Sequence, residues 1–216
     1  MEFEQAVELL AAGGALVYPT ETYYGLGCLA TDSAAMARVC AIKERPLGRP
    51  LPLVVGSLDQ LALASPEAAE EAGDPSSLVG RIARRFWPGP LTLLLPPAPG
   101  LAEQALGLDK LIALRITSHP VAARLCEALG APLAATSANF SGCNPAARPQ
   151  DLDPELLKRV DNAFLDEPPL PSGGAPSTLA VPDQRAFGVW ILRHGAVSEA
   201  QLRAAGVGVL KSELFF

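Results

Sequence analysis

The chain has 216 residues, of which 49% are hydrophobic and 19% are charged, a composition that is ordinary for a globular protein with a sizeable core. No apolar stretch approaches the roughly 18 to 20 residues that span a bilayer, and the N-terminus lacks the basic start of a secretory signal, so we expect a cytoplasmic protein that does not enter membranes. The net charge of −6 argues against a protein that coats nucleic acid through its overall charge.

Cysteine and histidine do not predict a built-in metal site. The cysteines are Cys28, Cys40, Cys126 and Cys143. No pair of them has the C-x-x-C spacing of a structural zinc site or a redox motif. The two histidines, His119 and His194, form no metal-binding helix motif. In a reducing cytosol we therefore expect unpaired thiols and no metal bound by the protein alone.

Apolar spacing and chain breakers predict helices and strands that alternate without a strict βαβ rhythm. The predicted helices cover 3–12, a segment starting at Ser33, 58–72, 76–86, 120–129, 151–159 and a short segment starting at Ser198. The predicted strands cover 15–18, 51–55, 91–95, 111–116, 132–136, 163–166, 177–181 and 187–193. Because several late strands follow one another directly, we predict an α/β fold with a twisted sheet of mixed parallel and antiparallel strands and flanking helices. No linker divides the chain, so we predict a single domain over residues 1–216.

The first segment with functional side chains is PTETYYGLG at 19–27, directly after a predicted strand. It offers hydroxyls, a carboxylate and glycines at a strand end, where α/β folds bind ligands. Gly25, Gly27 and Ala30 also fit a G-x-G-x-x-A dinucleotide pattern, but the glycines lie too far from the strand for that motif. A ligand loop and a structural turn both remain open, and Glu21 is a candidate to orient Lys43 or a metal-bound water.

A second segment, KERPLGRP at 43–50, places Lys43, Arg45 and Arg49 at the end of a predicted helix. Cations there stabilise the negative end of the helix dipole, which is a purely structural interpretation. The cations continue, however, into a proline-stiffened loop, and a rigid guanidinium suits bidentate contacts with phosphate. Such a pocket on an acidic chain favours a small anionic ligand over a nucleic-acid duplex.

Two further segments present polar groups beside predicted strands. Arg115 alternates with apolar residues in the strand at 111–116, so its charge needs either a structural partner or a substrate carboxylate. TSANFSG at 136–142 presents Ser137, Asn139 and backbone amides that can form an anion-binding nest. This loop matches neither a Walker A motif nor a nucleophile elbow. His119, which precedes a proline, is expected to cap the turn that follows.

These segments, in this order, resemble the YrdC/TsaC family of threonylcarbamoyl-adenylate synthases. The matching pieces are PTETYYGLG at 19–27, KERPLGRPL at 43–51, FWPGPLT at 86–92, ALRITSHP at 113–120, TSANFSG at 136–142, PST at 176–178 and LRHG at 192–195. The resemblance implies a YrdC-like mixed α/β fold with a basic concave cavity. It also implies a nucleotidyltransferase that condenses L-threonine, bicarbonate or CO₂ and ATP into threonylcarbamoyl-AMP and pyrophosphate, with Mg²⁺ accompanying ATP.

The resemblance implies roles for individual residues. The threonine site would contain Thr20, Arg115 and Ser177. The nucleotide site would contain Lys43, Arg45, Arg49, Ser137, Asn139 and Arg193, with Lys43 and Arg45 as catalytic residues. A site rich in cations and hydroxyls fits this chemistry, because nucleotidyl transfer depends on positioning and charge stabilisation rather than on a protein nucleophile.

The chain departs from the family pattern in two places. Longer relatives carry a histidine after the K-x-R loop, where this sequence has Leu53-Val54-Val55. The usual P-S-P-T after the S-A-N loop is Asn144-Pro145-Ala146-Ala147 here. The chain corresponds to the short form, which lacks the C-terminal domain of longer relatives, so we expect this histidine to be dispensable or threonine to be held differently.

The resemblance also implies partners and leaves two rival interpretations. Other proteins would transfer the threonylcarbamoyl group to adenosine 37 of tRNAs that read ANN codons, with only weak contact between this chain and tRNA. A double-stranded RNA or tRNA-binding module without turnover is one rival, and the net charge of −6 argues against it. Carbamoyl transfer in hydrogenase maturation is the other, but the larger proteins of that class carry zinc-finger cysteines and an acylphosphatase-like region.

Overall fold

Helices and strands alternate along the chain in the computed structural model, which describes residues 1–46, 48–107, 109–165 and 167–211. The helices are α1 (Phe3–Ala11), α2 (Ser33–Ile42), α3 (Leu61–Ala64), α4 (Pro66–Gly73), α5 (Leu78–Phe86), α6 (Pro120–Leu129), α7 (Pro154–Leu157) and α8 (Glu199–Ala204). The strands are β1 (Leu16–Pro19), β2 (Tyr24–Gly27), β3 (Leu53–Val55), β4 (Leu91–Leu95), β5 (Ile112–Ile116), β6 (Leu133–Ala134), β7 (Thr136–Ser137), β8 (Asn162–Ala163), β9 (Thr178–Asp183), β10 (Gly188–Arg193) and β11 (Gly208–Val209). None of the helices in this part of the chain has both the length and the apolar character of a membrane span.

The strands form two sheets rather than one continuous sheet. Among the described residues, the smaller sheet has the order β7-β2-β1-β8 and the larger has the order β11-β10-β9-β4-β5-β3-β6. Both sheets mix parallel pairs, such as β1 with β8 and β3 with β5, with antiparallel pairs, such as β1 with β2 and β4 with β5. The predicted mixed α/β architecture is confirmed, while its division into two sheets was not predicted.

Capping and proline determine where the helices begin and end. Asp32, rather than Ser33, caps α2 by accepting hydrogen bonds from two backbone N–H groups of its first turn. His119 caps α6 as predicted. The helix predicted at 58–72 is divided into α3 and α4, because Pro66 lacks an N–H and occupies the first turn of α4.

The other departures concern short elements. The helix predicted at 151–159 is shortened to α7, which begins at Pro154, after a 3₁₀ turn at 149–151. The strand predicted at 163–166 corresponds to β8, and its last predicted position, residue 166, lies outside the described residues. The remaining predicted strands, apart from the one at 132–136, lie within two residues of their predicted bounds.

The chain passes from the larger sheet to the smaller one at Ala135. A single strand was predicted at 132–136, but β6 pairs with β3 in the larger sheet and β7 pairs with β2 in the smaller sheet. Gly27 permits this close approach, because a Cβ there would lie 1.8 Å from the carbonyl oxygen of Ala134. The strand β2 was not predicted, and with β1 it forms a hairpin whose turn is 20–23. The hairpin and the loop after β7 therefore lie side by side at the junction of the sheets.

Two clusters of buried side chains hold this frame together. In the larger cluster, α2 and α5 pack against strands of both sheets. The smaller cluster lies between α1, α6 and β1, and includes Leu10, Tyr18 and Leu125. Val54 is fully buried in this smaller cluster. The position at which longer relatives are expected to carry a histidine is therefore occupied by a core side chain.

Candidate active site

A polar cavity of about 150 Å³ opens at the junction of the two sheets. The predicted site residues in its wall are Thr20, Arg45, Arg115, Ser137, Ser177 and Arg193. Larger cavities of about 420 and 390 Å³ include the loop at 45–50 in their walls, which are mainly apolar. We take the smaller cavity as the candidate active site, because charged and hydroxyl groups from several elements converge on it.

The hairpin turn is fixed by Thr20, whose Oγ1 donates a hydrogen bond to the backbone oxygen of Tyr23 at 2.6 Å. The hydroxyl oxygen of Thr22 lies 3.4 Å from Thr20 Oγ1, and both threonines line the cavity. Thr20 Oγ1 also accepts from Thr22 N–H at 3.4 Å. Because its proton is directed at Tyr23, its second lone pair is left to accept a hydrogen bond from a ligand. Thr20 both shapes the turn and offers an acceptor.

Arg115 has the buried partner that its place in a strand requires. Its Nε donates to Glu21 Oε1 at 2.6 Å, and the two side chains are 5% and 10% exposed. The other oxygen of Glu21 accepts from Thr117 Oγ1, also at 2.6 Å. The terminal nitrogens of Arg115 have no hydrogen-bond partner among the described residues, and Arg115 lines the cavity. The structural ion pair therefore leaves the fork of the guanidinium available to a ligand.

The carboxylate of Glu21 is held in its ionised form. Burial by itself raises the pKa of Glu21. The charge of Arg115 and the hydrogen bond from Thr117 lower it and together outweigh burial, so the pKa lies below its usual value of 4.5. Glu21 does not orient Lys43, whose Nζ donates to Ser137 and Asn139 instead, and an interaction of Glu21 with a metal-bound water stays a prediction.

Ser177 and Arg193 form a second polar group in the cavity wall. Arg193 donates from Nε and Nη2 to the backbone oxygen of Ser177, at 3.2 and 2.8 Å. Ser177 Oγ accepts from Arg193 Nη2 at 3.1 Å and from Thr92 Oγ1 at 2.8 Å. With both acceptor positions used, the hydroxyl proton of Ser177 is left to donate to a ligand. The pairing of β10 with β9 is irregular between Ile191 and Arg193, and Arg193 donates to Ser177, the residue before β9.

Lys43 lies beneath the loop after β7 rather than in the cavity wall. Its side chain is buried, and Nζ donates to the backbone oxygens of Ser137 at 2.5 Å and Asn139 at 2.7 Å, and to Asn139 Oδ1 at 3.2 Å. Burial, followed by the neighbouring charge of Arg45, lowers the pKa of Lys43 to about 8. Direct contact of Lys43 with a nucleotide stays a prediction, whereas its contact with the loop is observed.

Asn139 shapes the loop from within. Its Nδ2 donates to the backbone oxygens of Phe140 and Cys143, at 2.8 and 2.7 Å, while Oδ1 accepts from Lys43. The amide group of Asn139 is thus hydrogen-bonded within the protein, and Asn139 does not line the polar cavity. Ser137 does line the cavity, and among the described residues its Oγ makes a single long contact, of 3.4 Å with Lys43 Nζ. The loop thus presents Ser137 and uses Asn139 internally.

Arg45 and Arg49 occupy different places on the loop after α2. Arg45 donates from Nε to the backbone oxygen of Arg49 at 2.9 Å and from Nη2 to that of Pro50 at 2.7 Å, so it fixes its own loop while lining the cavity. Arg49 lines the two larger cavities instead. Sequence reasoning grouped the two arginines, but the structure brings only Arg45 to the polar cavity.

Three arginines, Arg45, Arg115 and Arg193, line this cavity. Burial lowers the pKa of Arg193, and the nearby guanidinium groups of Arg115 and Arg45 lower it further. Three arginines that repel one another around a small cavity, with one buried carboxylate behind them, favour the binding of an anion. Within the described ranges, no group of three or more His, Cys, Asp or Glu side chains is placed to hold a metal ion.

Sequence reasoning missed the supporting partners of this site. Thr117 lies two positions after Arg115 and just past the end of β5. The alternation of a strand that continued to this position would place both side chains on one face, which is a signal that the sequence contained. Thr92, in contrast, reaches Ser177 across 85 positions, and no local pattern predicts that contact. The altered segment at 144–147 is anchored through its backbone, since the oxygen of Ala146 accepts from Tyr24 N–H at 2.9 Å.

Known proteins share this sequence and this fold. The family model Sua5_yciO_yrdC, described as "Telomere recombination", matches residues 8–195. A protein of Stenotrophomonas maltophilia (strain K279a) named "Threonylcarbamoyl-AMP synthase" is 39% identical over 172 residues, covering 77% of this chain and 87% of the relative.

Two solved structures have a similar fold. Sua5 of P. abyssi, complexed with L-threonine, has a TM-score of 0.78 at 28% identity over 94% of this chain. The present chain spans 56% of that longer protein. YciO of E. coli has a TM-score of 0.73 at 28% identity, covering 92% of this chain and 91% of YciO. With the family model matching most of its length, the chain belongs to the Sua5/YciO/YrdC family.

Proposed function

We propose that this chain is an L-threonylcarbamoyladenylate synthase, a nucleotidyltransferase that uses L-threonine, bicarbonate or CO₂ and ATP. The proposal depends on one observation: polar side chains suited to an amino acid and polar side chains suited to phosphate line the same cavity. We assign Thr20, Arg115 and Ser177 to the amino acid and Arg45, Ser137 and Arg193 to phosphate, and all six line the cavity. The relative named threonylcarbamoyl-AMP synthase and the threonine complex of Sua5 support this assignment.

The reaction needs no nucleophile from the protein. The amine of threonine adds to CO₂ and loses a proton to form a carbamate. A carbamate oxygen then attacks the α-phosphorus of ATP, and the bond to pyrophosphate breaks as the new P–O bond forms. The contribution of the cavity is to hold the two reactants together and to stabilise the charge on the phosphate oxygens, which Arg45 and Arg193 are placed to do.

The amino-acid groups offer complementary hydrogen bonds. The two terminal nitrogens of Arg115 would bind the carboxylate of threonine in a bidentate manner. The hydroxyl of Ser177 has a proton to donate, and Thr20 has a lone pair to accept one. The α-phosphate would lie against the hydroxyl of Ser137, on the loop whose shape is maintained by Lys43 and Asn139. The anion-binding nest of backbone amides expected from the sequence is not formed here, because the N–H groups of Ala138, Asn139, Ser141 and Cys143 already donate to protein oxygens.

The remaining parts of the proposal concern the metal and the partners. Mg²⁺ would enter with ATP, coordinated by phosphate oxygens, because the described residues offer no cluster of carboxylates for it. The product would pass to threonylcarbamoyl-transferase proteins that modify adenosine 37 of tRNA, with only weak contact between this chain and tRNA. We place this reaction in the cytoplasm.

Incubation with ATP, Mg²⁺, threonine and labelled bicarbonate tests the function. We expect a labelled adenylate in the same amount as the pyrophosphate released, and no label in adenylate when threonine is left out. Tight, strongly salt-dependent binding of tRNA without ATP turnover would instead indicate an RNA-binding module.

A further inference from the structure

Glu21 lies behind the wall of the candidate active site. The cavity is lined by its neighbours Thr20 and Thr22 and by its partner Arg115, but not by Glu21 itself. Its carboxylate therefore does not face a ligand, although it forms the 2.6 Å contact that orients the cavity-lining arginine. Because a guanidinium is planar, a carboxylate bound at Nε restricts the directions in which the two terminal nitrogens point.

Glu21 is in turn fixed by the protein on both sides. Thr117 Oγ1 accepts from His119 N–H at 3.2 Å, so its hydroxyl proton is free to point at the carboxylate of Glu21. The backbone oxygen of Glu21 accepts from Ser172 Oγ at 2.6 Å. The position of Glu21 is therefore set before any substrate arrives. A change to its side chain also leaves the backbone contact with Ser172 in place.

We propose that Glu21 is a positioning residue for the amino-acid substrate: it fixes the plane of Arg115 so that the terminal nitrogens form a fork for the substrate carboxylate. This inference rests on the proposed function of the cavity. A bidentate contact needs both nitrogens in the plane of the carboxylate. An Arg115 that is free to rotate would lose part of that contact even though its charge is retained.

Calorimetric binding of threonine, with ATP binding measured on each variant as a control, tests the proposal. Glu21→Ala should raise the Kd for threonine by about tenfold or more and leave the Kd for ATP within about twofold. Glu21→Gln should largely retain threonine binding, because its amide oxygen can accept from Arg115 and its NH₂ can donate to Thr117. Glu21→Asp keeps the charge but is one methylene shorter, so we expect it to weaken threonine binding.

The ranking of the Glu21 variants by threonine affinity distinguishes a positioning role of Glu21 from an effect of its charge. Full threonine binding by Glu21→Asp together with a loss in Glu21→Gln would show that Glu21 acts through its charge, and would overturn the proposal. Unchanged threonine binding in Glu21→Ala, or equal losses for threonine and ATP, would overturn it as well. If Glu21→Ala does not fold, the threonine affinities of Glu21→Gln and Glu21→Asp alone decide between the two roles.

A matched control and the unaltered protein complete the experiment. Asp161→Asn removes a carboxylate that pairs with Arg38 and accepts from Ala15 N–H outside the cavity wall, and it should leave both affinities unchanged. If the unaltered protein binds threonine and forms the adenylate but the variants rank otherwise, only the role of Glu21 is wrong. If the unaltered protein neither binds threonine nor forms the adenylate, the proposed function itself fails.

Discussion

Lys43 Nζ lies 2.7 Å from the backbone oxygen of Asn139, although 96 positions separate the two residues in the chain. The backbone oxygen of Ser137 and Asn139 Oδ1 also accept from the same ammonium group. Lys43 thus connects the end of α2 to the loop that presents Ser137 to the cavity. We therefore expect Lys43 to affect the proposed nucleotide site through this loop rather than from the cavity wall.

Lys43→Met should lower the free energy of unfolding by roughly 2 to 3 kcal/mol, because buried loop oxygens lose their donor. Lys158→Met is the matched control, since Lys158 is exposed and pairs only with Glu155 among the described residues; it should change stability by less than about 0.5 kcal/mol. Chemical denaturation measures both. Unchanged stability combined with lost ATP binding would show that Lys43 contacts the nucleotide directly.

Arg45→Ala should lower adenylate formation by at least about tenfold, because a charged hydrogen bond to phosphate contributes roughly 1.5 to 3 kcal/mol. Arg49→Ala should have a smaller effect, since Arg49 lines the neighbouring cavities. We expect the melting temperature of both variants to change little, as the residues lie on a loop. Full activity of Arg45→Ala would show that the arginine only holds its loop.

Ser137→Ala should raise the ATP concentration needed for half-maximal activity while the fold stays intact. Within the described part of the chain its hydroxyl makes a single contact, of 3.4 Å with Lys43, so little structure depends on it. The backbone oxygen that Lys43 binds is unchanged by the substitution. Calorimetric titration with ATP measures the effect. Unchanged ATP affinity would remove this side chain from the site.

Amino-acid choice tests the polar groups on the threonine side. A pocket that hydrogen-bonds a hydroxyl rejects an analogue without one, because its own buried polar groups are then left unpaired. We expect threonine to be used well, serine weakly and valine hardly at all, and Arg115→Ala to weaken threonine binding more than ATP binding. If valine were converted as readily as threonine, Thr20 and Ser177 would have structural roles and would not recognise the substrate hydroxyl.

Glu21 should make the free energy of unfolding depend on pH in the acidic range. Its lowered pKa stabilises the fold fully above the unfolded-state value of 4.5, and this contribution is lost as the pH falls through the folded-state value. The difference in unfolding free energy between the unaltered protein and Glu21→Gln should therefore be constant above about pH 5.5 and shrink below about pH 4.5. Denaturant titrations across this range measure it, and a difference that grows towards low pH would contradict the buried pairing.

The fold was predictable where local patterns determine it. The helix at 120–129 has its predicted bounds, because a histidine cap, a proline in the first turn and a left-handed Gly130 mark its ends. The crossing at Ala135 was not predictable, since two strands of two residues each are defined only by partners elsewhere in the chain. The hairpin strand β2 was missed for the same reason.

Six of the predicted site residues line one cavity, but the sequence did not indicate their geometry. The need of Arg115 for a partner followed from its strand, while the identity of that partner, Glu21, depends on a contact across 94 positions. Lys43 and Arg45 are two positions apart, yet one lies under the loop and the other in the cavity wall. Spacing alone does not distinguish a residue that binds a ligand from one that holds the binding loop.

A crystal structure with threonine and a non-hydrolysable ATP analogue tests the central claim most directly. We expect the threonine carboxylate on the terminal nitrogens of Arg115, its polar groups within hydrogen-bonding distance of Thr20 and Ser177, and the α-phosphate beside Ser137 and Arg45. Threonine bound outside this cavity, or an α-phosphate bound away from these residues, would contradict the account.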